Sequence, residues 1–226
     1  LFELHGDPSC SNNTLQWSRH VLKNTQGRAG HIAQPLDNTL LVFGGYTSER
    51  LLLADTFHIR PEENGNWYAS DPLKFSSTMP KSLERRWSTT WQDETTSSIY
   101  CHGGWNDNGP NNDLLQFQNN GWQSINTKSP SPRRWHCTCS IPDRKSVFMF
   151  GGYNGKTNFN DVWMFNTINK RFNQIDVVKG EKVKGRARAH VIALSSRYVL
   201  MFGGYENNCL KPAQNAFVFD LREKKW

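Results

Sequence analysis

Paired glycines standing directly behind an apolar run constrain this chain more than any other feature. In VFMFGGYNGKTNFNDVWMFN, Val147 to Asn166, four apolar residues meet Gly151 and Gly152, an aromatic follows, and Asp161 opens a second apolar run. The arrangement occurs four times, with further pairs at Gly44 and Gly45, Gly103 and Gly104, and Gly203 and Gly204. Successive first glycines are 59, 48 and 52 residues apart. Three more columns keep the same register. Asp55, Asp113, Asp161 and Asn215 follow the glycines; Trp67, Trp122, Phe172 and Trp226 come later; and RAGH, RRWS, RRWH and ARAH precede them, at Arg28, Arg85, Arg133 and Ala187. A fixed period near 50 residues marks a chain built from repeated supersecondary units.

The four residues before each glycine pair are Leu40 to Phe43, Ile99 to His102, Val147 to Phe150 and Val199 to Phe202. A half-wet strand alternates apolar and polar residues. Near-continuous apolarity instead predicts a strand covered on both faces, a small sheet between two others. The glycines then end the strand where a neighbouring backbone comes close or a positive φ is needed.

These columns resemble the kelch motif, and the resemblance spans nearly the whole chain. It implies an all-β fold, a kelch β-propeller with one four-stranded blade per repeat around a channel. Blades are expected at residues 28–67, 85–122, 133–172 and 186–226, within a single partial propeller over 1–226. Residues 1–17 read as the end of another blade, with Trp17 in the tryptophan column. That gives four complete blades plus a half blade, expected to belong to a larger ring of six blades or so. A tryptophan on the fourth strand buries about 150–250 Å² and is expected to fill the wedge against the next blade.

Composition sets bounds. Lys and Arg number 27 against 20 Asp and Glu, a net charge of +7. No apolar stretch approaches the 18 or so residues of a membrane span. Five cysteines fit reduced thiols better than a disulfide framework, so a cytoplasmic, or nuclear, location is expected. Cys137 and Cys139 alternate in one strand and read as small core residues. Asn12-Asn13-Thr14 matches a glycosylation sequon, a pattern with many false positives.

Propellers bind on the faces around their channel, and the links between blades carry the arginine column to one mouth of it. Arg28, Arg85, Arg86, Arg133, Arg134, Arg186 and Arg188 are therefore candidate partner-binding residues, with Trp87 and Trp135 beside them. Guanidinium groups grip carboxylates with two prongs, and Trp and Arg dominate binding hot spots. The expected partner is a protein or peptide that is acidic or ends in a carboxylate. The competing reading has Arg28, Arg85 and Arg133 holding the links structurally, while Arg86, Arg134 and Arg188 go beyond the minimal pattern and are expected to face a ligand.

His31, His136 and His190 read as one column with Ser88, a hydrogen-bonding position rather than a metal site. His102 reads as a packing variant of the aromatic before a glycine pair. No cofactor, metal or enzymatic activity is expected. Copper-radical and iron-dependent enzymes of the kelch-like class need ligand sets not found here. Nucleic acid is disfavoured because the basic residues are spread over many loops.

The Arg-x-x-His form is similar to kelch-domain receptors of cullin-RING ubiquitin ligases and to cell-end and cytoskeletal kelch proteins. In some of those receptors an arginine of this motif holds the terminal carboxylate of a degron; Arg133 in SPRRWH and Arg28 in GRAGH match it, whereas ARAH has Ala187 in its place. The resemblance implies a scaffold or substrate receptor; the alternative is a structural subunit using blade edges and outer loops.

Overall fold

The computed structural model describes residues 2–6, 15–20, 22, 24–63, 65–74, 83–93, 95–178 and 180–226, with backbone alone for 2–6 and 15–19. All strand pairing among them is antiparallel, and no helix is present among them. Strands Phe2–Gly6 and Leu15–Arg19 form a two-stranded half blade, in which Trp17 pairs with Leu4.

Three four-stranded blades follow in strict sequence order. The first is Ile32–Leu36, Thr39–Phe43, Thr56–Pro61 and Trp67–Ala69. The second is Thr89–Gln92, Ile99–His102, Leu114–Gln118 and Gly121–Ile125. The third is Cys137–Ile141, Ser146–Phe150, Val162–Asn166 and Arg171–Ile175. A fourth blade has His190–Ala193, Tyr198–Phe202 and Ala216–Asp220, and its fourth strand is reduced to a single bridge, Asp220 to Lys225. The first strands of successive blades touch one another and surround the channel, where the Thr89 and Thr138 hydroxyls hydrogen-bond at 2.7 Å. The fold is a kelch-type propeller.

The cores lie between blades, which explains the unbroken apolar runs. Leu41 and Phe43 of the first blade pack with Ile99, Cys101, Leu115 and Phe117 of the second. On the other face of the second blade, Tyr100 and Leu114 pack with Val147, Met149 and Phe165 of the third. Phe148 and Phe150 then meet Val199, Met201 and Phe219 of the fourth. The apolar strands of the second and third blades thus each serve two interfaces, one per face.

The tryptophan column closes these interfaces, but from the opposite side to the one expected. Trp122 sits 4.6 Å from Phe43 and donates from Nε1 to Thr56 Oγ1, both in the preceding blade. Phe172 meets His102, and Trp226 meets Phe150, in the same backward sense. The register is the cause. Trp122 pairs with Phe117, which pairs with Ile99, so period-two alternation places all three on the face turned to the first blade.

The fourth blade also departs from expectation. Its Tyr198–Phe202 strand buries Val199 and Met201 but leaves Phe202 59% exposed, whereas its counterparts Phe43, His102 and Phe150 are buried. Among the described residues nothing lies over Phe202 as Trp226 lies over Phe150, so Ile192, Phe202 and Val218 stand bare on that face.

Candidate functional site

The glycine pairs form the junctions from which the site is built. In Gly151 φ is +66°, and an added Cβ would lie 2.5 Å from the Arg186 carbonyl oxygen of the next blade. Gly152 N–H donates to that same carbonyl at 2.8 Å, as Gly45 does to Arg85 and Gly104 to Arg133. The glycine turn therefore brings the next blade's arginine backbone to the end of the strand, which fixes where each arginine starts.

Arg28, Arg85, Arg133 and Arg186 then point inward. Arg133 is fully buried; its Nη1 and Nη2 donate to Asp161 Oδ1 and Oδ2 at 2.7 Å each, Nη1 also donates to Gly151 O, and Nε donates to Ser131 O. Arg85 makes the same fork with Asp113, and Arg28 with Asp55. Where the fourth repeat has Asn215, Arg186 bonds the Asn215 carbonyl and pairs with Glu206 at 3.1 Å instead. These four arginines, read from sequence as candidate partner contacts, are already occupied by carboxylates of their own blades. The second sequence column, Asp55, Asp113 and Asp161, exists to hold them.

The alignment of the last repeat needs correction. Arg186, not Ala187, carries the arginine position, because its Nη1 bond to Gly203 O and its own carbonyl bond to Gly152 N–H match those of Arg133. The motif there is Arg186-Ala187-Arg188-Ala189, and the histidine column becomes His31, Ser88, His136 and Ala189, the residues that face the second glycines. His190 lies one residue beyond it. His136 Nε2 meets His102 Nδ1 at 3.0 Å across the second junction, so His102 is a bonded partner as well as a packing variant. Burial, together with nearby Arg133 and Arg85, pulls the His102 pKa down to about 3.

The next residues in the motif turn outward. Trp87, Trp135 and Arg188 have φ of 62°, 59° and 58°, a conformation rare for bulky side chains, and Gly30 occupies this place in the first blade. Their N–H groups bond backward around the mouth: Trp87 to Gly30 O, Trp135 to Trp87 O, and Arg188 to Trp135 O. On this rim the arginines and aromatics alternate. Arg86 lies 4.3 Å from the Trp87 centroid and Arg134 4.5 Å from it; Arg134 and Arg188 each lie 3.9 Å from Trp135. Tyr46 flanks Arg86, Trp105 and Tyr153 flank Arg134, and Tyr205 flanks Arg188. Bridges such as Arg134 to Tyr153 bring those rings to the rim.

No carboxylate pairs with Arg86, Arg134 or Arg188 among the described residues. Burial holds the Arg134 guanidinium below the ordinary arginine range, and the like charges of Arg86 and Arg188 act in the same direction. The Nε groups of Arg86 and Arg134 are buried without a partner. Sequence reasoning named Arg86, Trp87, Arg134, Trp135 and Arg188, which the fold brings together. It missed Tyr46, Trp105, Tyr153 and Tyr205, whose signal was the aromatic that follows every glycine pair.

Three of the five thiols offer no chemistry here: burial pushes Cys137 and Cys139 up to about 12 and Cys101 to about 11. Among the described residues no cluster of three or more His, Cys, Asp or Glu is arranged to hold a metal. The sequon at Asn12 lies outside the described residues.

The family model described as KLHDC2/KLHL20/DRC7 Kelch-repeats domain matches residues 77–226, about two thirds of the chain. The chain belongs to this kelch family. A search of curated proteins returns no match. Kelch propellers of this family are generally non-enzymatic protein-interaction modules, and no helix among the described residues is long and apolar enough to cross a membrane. In this kelch chain the rim has two tiers: an inner set of arginines that fastens the blades and an outer set with no carboxylate partner among the described residues.

Proposed function

We propose that the outer tier captures an acidic or carboxylate-terminated peptide, with Arg134 as the central cation and Arg86 and Arg188 on either side. The observation that carries this reading is the set of three guanidinium groups stacked on Trp87 and Trp135 with no carboxylate of their own. Cations that fasten a fold have partners, as Arg133 does. Cations held in place by rings and left unpaired are suited to an incoming anion, and the stacking fixes them at low entropic cost. The ring faces already carry guanidinium groups, which disfavours base stacking. On this reading the chain is a scaffold or substrate receptor, and membership of a ubiquitin ligase or cytoskeletal complex remains part of the proposal.

Peptide binding measured by fluorescence anisotropy tests it. Arg134→Ala is expected to weaken binding about tenfold or more with the melting temperature little changed. Arg133→Ala is expected to destabilise the chain strongly, because it empties a fully buried site and leaves the half-buried Asp161 without its cation, at a cost of up to about 3–5 kcal/mol. Unchanged binding in Arg134→Ala would end the reading.

A further inference from the structure

The spacing of the cations along the rim selects a pattern of charge, a finer property than acidity. Arg86 and Arg134 share the Trp87 ring at 4.3 and 4.5 Å, so their charges lie within about 9 Å of each other. Arg134 and Arg188 share Trp135 at 3.9 Å each, within about 8 Å. The tryptophans act as spacers, and their left-handed backbone is tied by the chain of hydrogen bonds through Gly30, Trp87, Trp135 and Arg188. Three cations are thereby held in order along the rim, Arg134 between Arg86 and Arg188 and sharing a ring with each.

The rim backbone has little to offer a ligand. The N–H groups of Trp87, Trp135 and Arg188 and the carbonyls of Gly30, Trp87 and Trp135 are consumed between blades. The N–H groups of Arg86, Arg134 and Ala187 pair with Trp105, Tyr153 and Tyr205. Recognition by added β-strand pairing is therefore closed at these positions, and side-chain charge is left to choose the ligand.

An extended peptide advances about 3.3 Å per residue and sends alternate side chains to the same side. Residues i and i+2 on that side are thus about 7 Å apart, a step that falls within the bounds of about 9 and 8 Å set by the shared rings. Adjacent acidic residues point to opposite sides, so only every other carboxylate of such a run faces the row. We propose that the ligand is an extended peptide with carboxylates at every second residue, each seated on one of Arg86, Arg134 and Arg188. This rests on the peptide-binding reading and narrows it.

The test uses the full chain and three labelled peptides of equal length, measured by fluorescence anisotropy. One contains Glu-Thr-Glu-Thr-Glu and the second its isomer Thr-Glu-Glu-Glu-Thr, both acetylated and amidated; the third has no Glu and a free terminal carboxylate. The alternating peptide is expected to bind about tenfold more tightly than its isomer, the worth of one further charge-assisted contact. Arg134→Gln, the middle rung, is expected to bring the two within about twofold of each other, while Arg134→Lys, which keeps charge without the fork, retains part of the preference. Equal binding of the isomers overturns the spacing while leaving acidic-peptide binding in place. Binding of the third peptide alone also overturns the spacing and keeps carboxylate capture. If none of the three binds, the peptide reading fails and the spacing with it. Melting curves for both Arg134 variants show whether a lost preference reflects the rung or the fold.

Discussion

Arg133 and Arg134 are neighbours in the chain and belong to different parts of the machine. Strand geometry sends one inward to Asp161 and the other outward onto Trp87 and Trp135. Their separation depends on a glycine junction, because the Arg133 carbonyl between them is held by Gly104 N–H, as the Arg186 carbonyl is held by Gly152 N–H. Gly151 and Gly203 test this anchor well. They share nearly the same φ, +66° and +69°, yet a Cβ on Gly151 would strike the Arg186 carbonyl at 2.5 Å while one on Gly203 meets nothing within 4 Å. Gly203→Ala should cost only the left-handed backbone penalty, about 1–2 kcal/mol. Gly151→Ala adds a backbone collision that only a shift of the blade relieves, and its loss in denaturant titration should be at least about twice as large. Equal losses would mean that the close approach contributes nothing.

At the level of strands and blades, burial on both faces makes each interface a shared property of two repeats. Trp122 is the clearest case, covering Phe43 and bonding Thr56 across the junction. Trp122→Ala should cost about 3–5 kcal/mol. Trp122→Phe keeps most of the apolar area but orphans the Thr56 hydroxyl, a loss of about 1–3 kcal/mol; chemical denaturation measures both, and a negligible cost in Trp122→Phe would show that the hydrogen bond is idle. Much of this level was legible in the sequence. Glycine pairs, apolar runs and the tryptophan column mark strand ends, buried strands and blade edges without any long-range information. The direction in which Trp122 packs was not, because it depends on which face the pairing with Phe117 and Ile99 turns toward the first blade. The slip at Ala187 has a similar cause. The sequence of the last repeat matches at His190 by letter, whereas the fold aligns it at Arg186 by the Gly152 hydrogen bond and the Asn215 carbonyl. The role of the aspartate column was hidden too, since residues 28 apart meet only once the blade has folded.

For the whole molecule, acid acts through the buried groups at the blade junctions. His102 and His136 face each other across the second junction, beside Arg133 and Arg85, and both are pulled below the ordinary histidine value of 6.5 chiefly by burial. A folded pKa below the unfolded one means that the unfolded chain takes up protons first as pH falls. The stability tied to these groups is complete above about pH 6.5 and is lost progressively below it, until His102 itself protonates near pH 3. Urea titrations should therefore show the transition midpoint falling between pH 7 and pH 5, before most carboxylates titrate. The first junction supplies the control, because Phe43 and Ser88 hold the places of His102 and His136 there. The double variant His102→Phe with His136→Ser rewrites the second junction in the terms of the first, and its midpoint should stay nearly level over the same range. A slope as steep as in the unaltered chain would place the acid sensitivity elsewhere, with His31 and half-buried His58, whose pKa values burial also lowers, the next groups to replace.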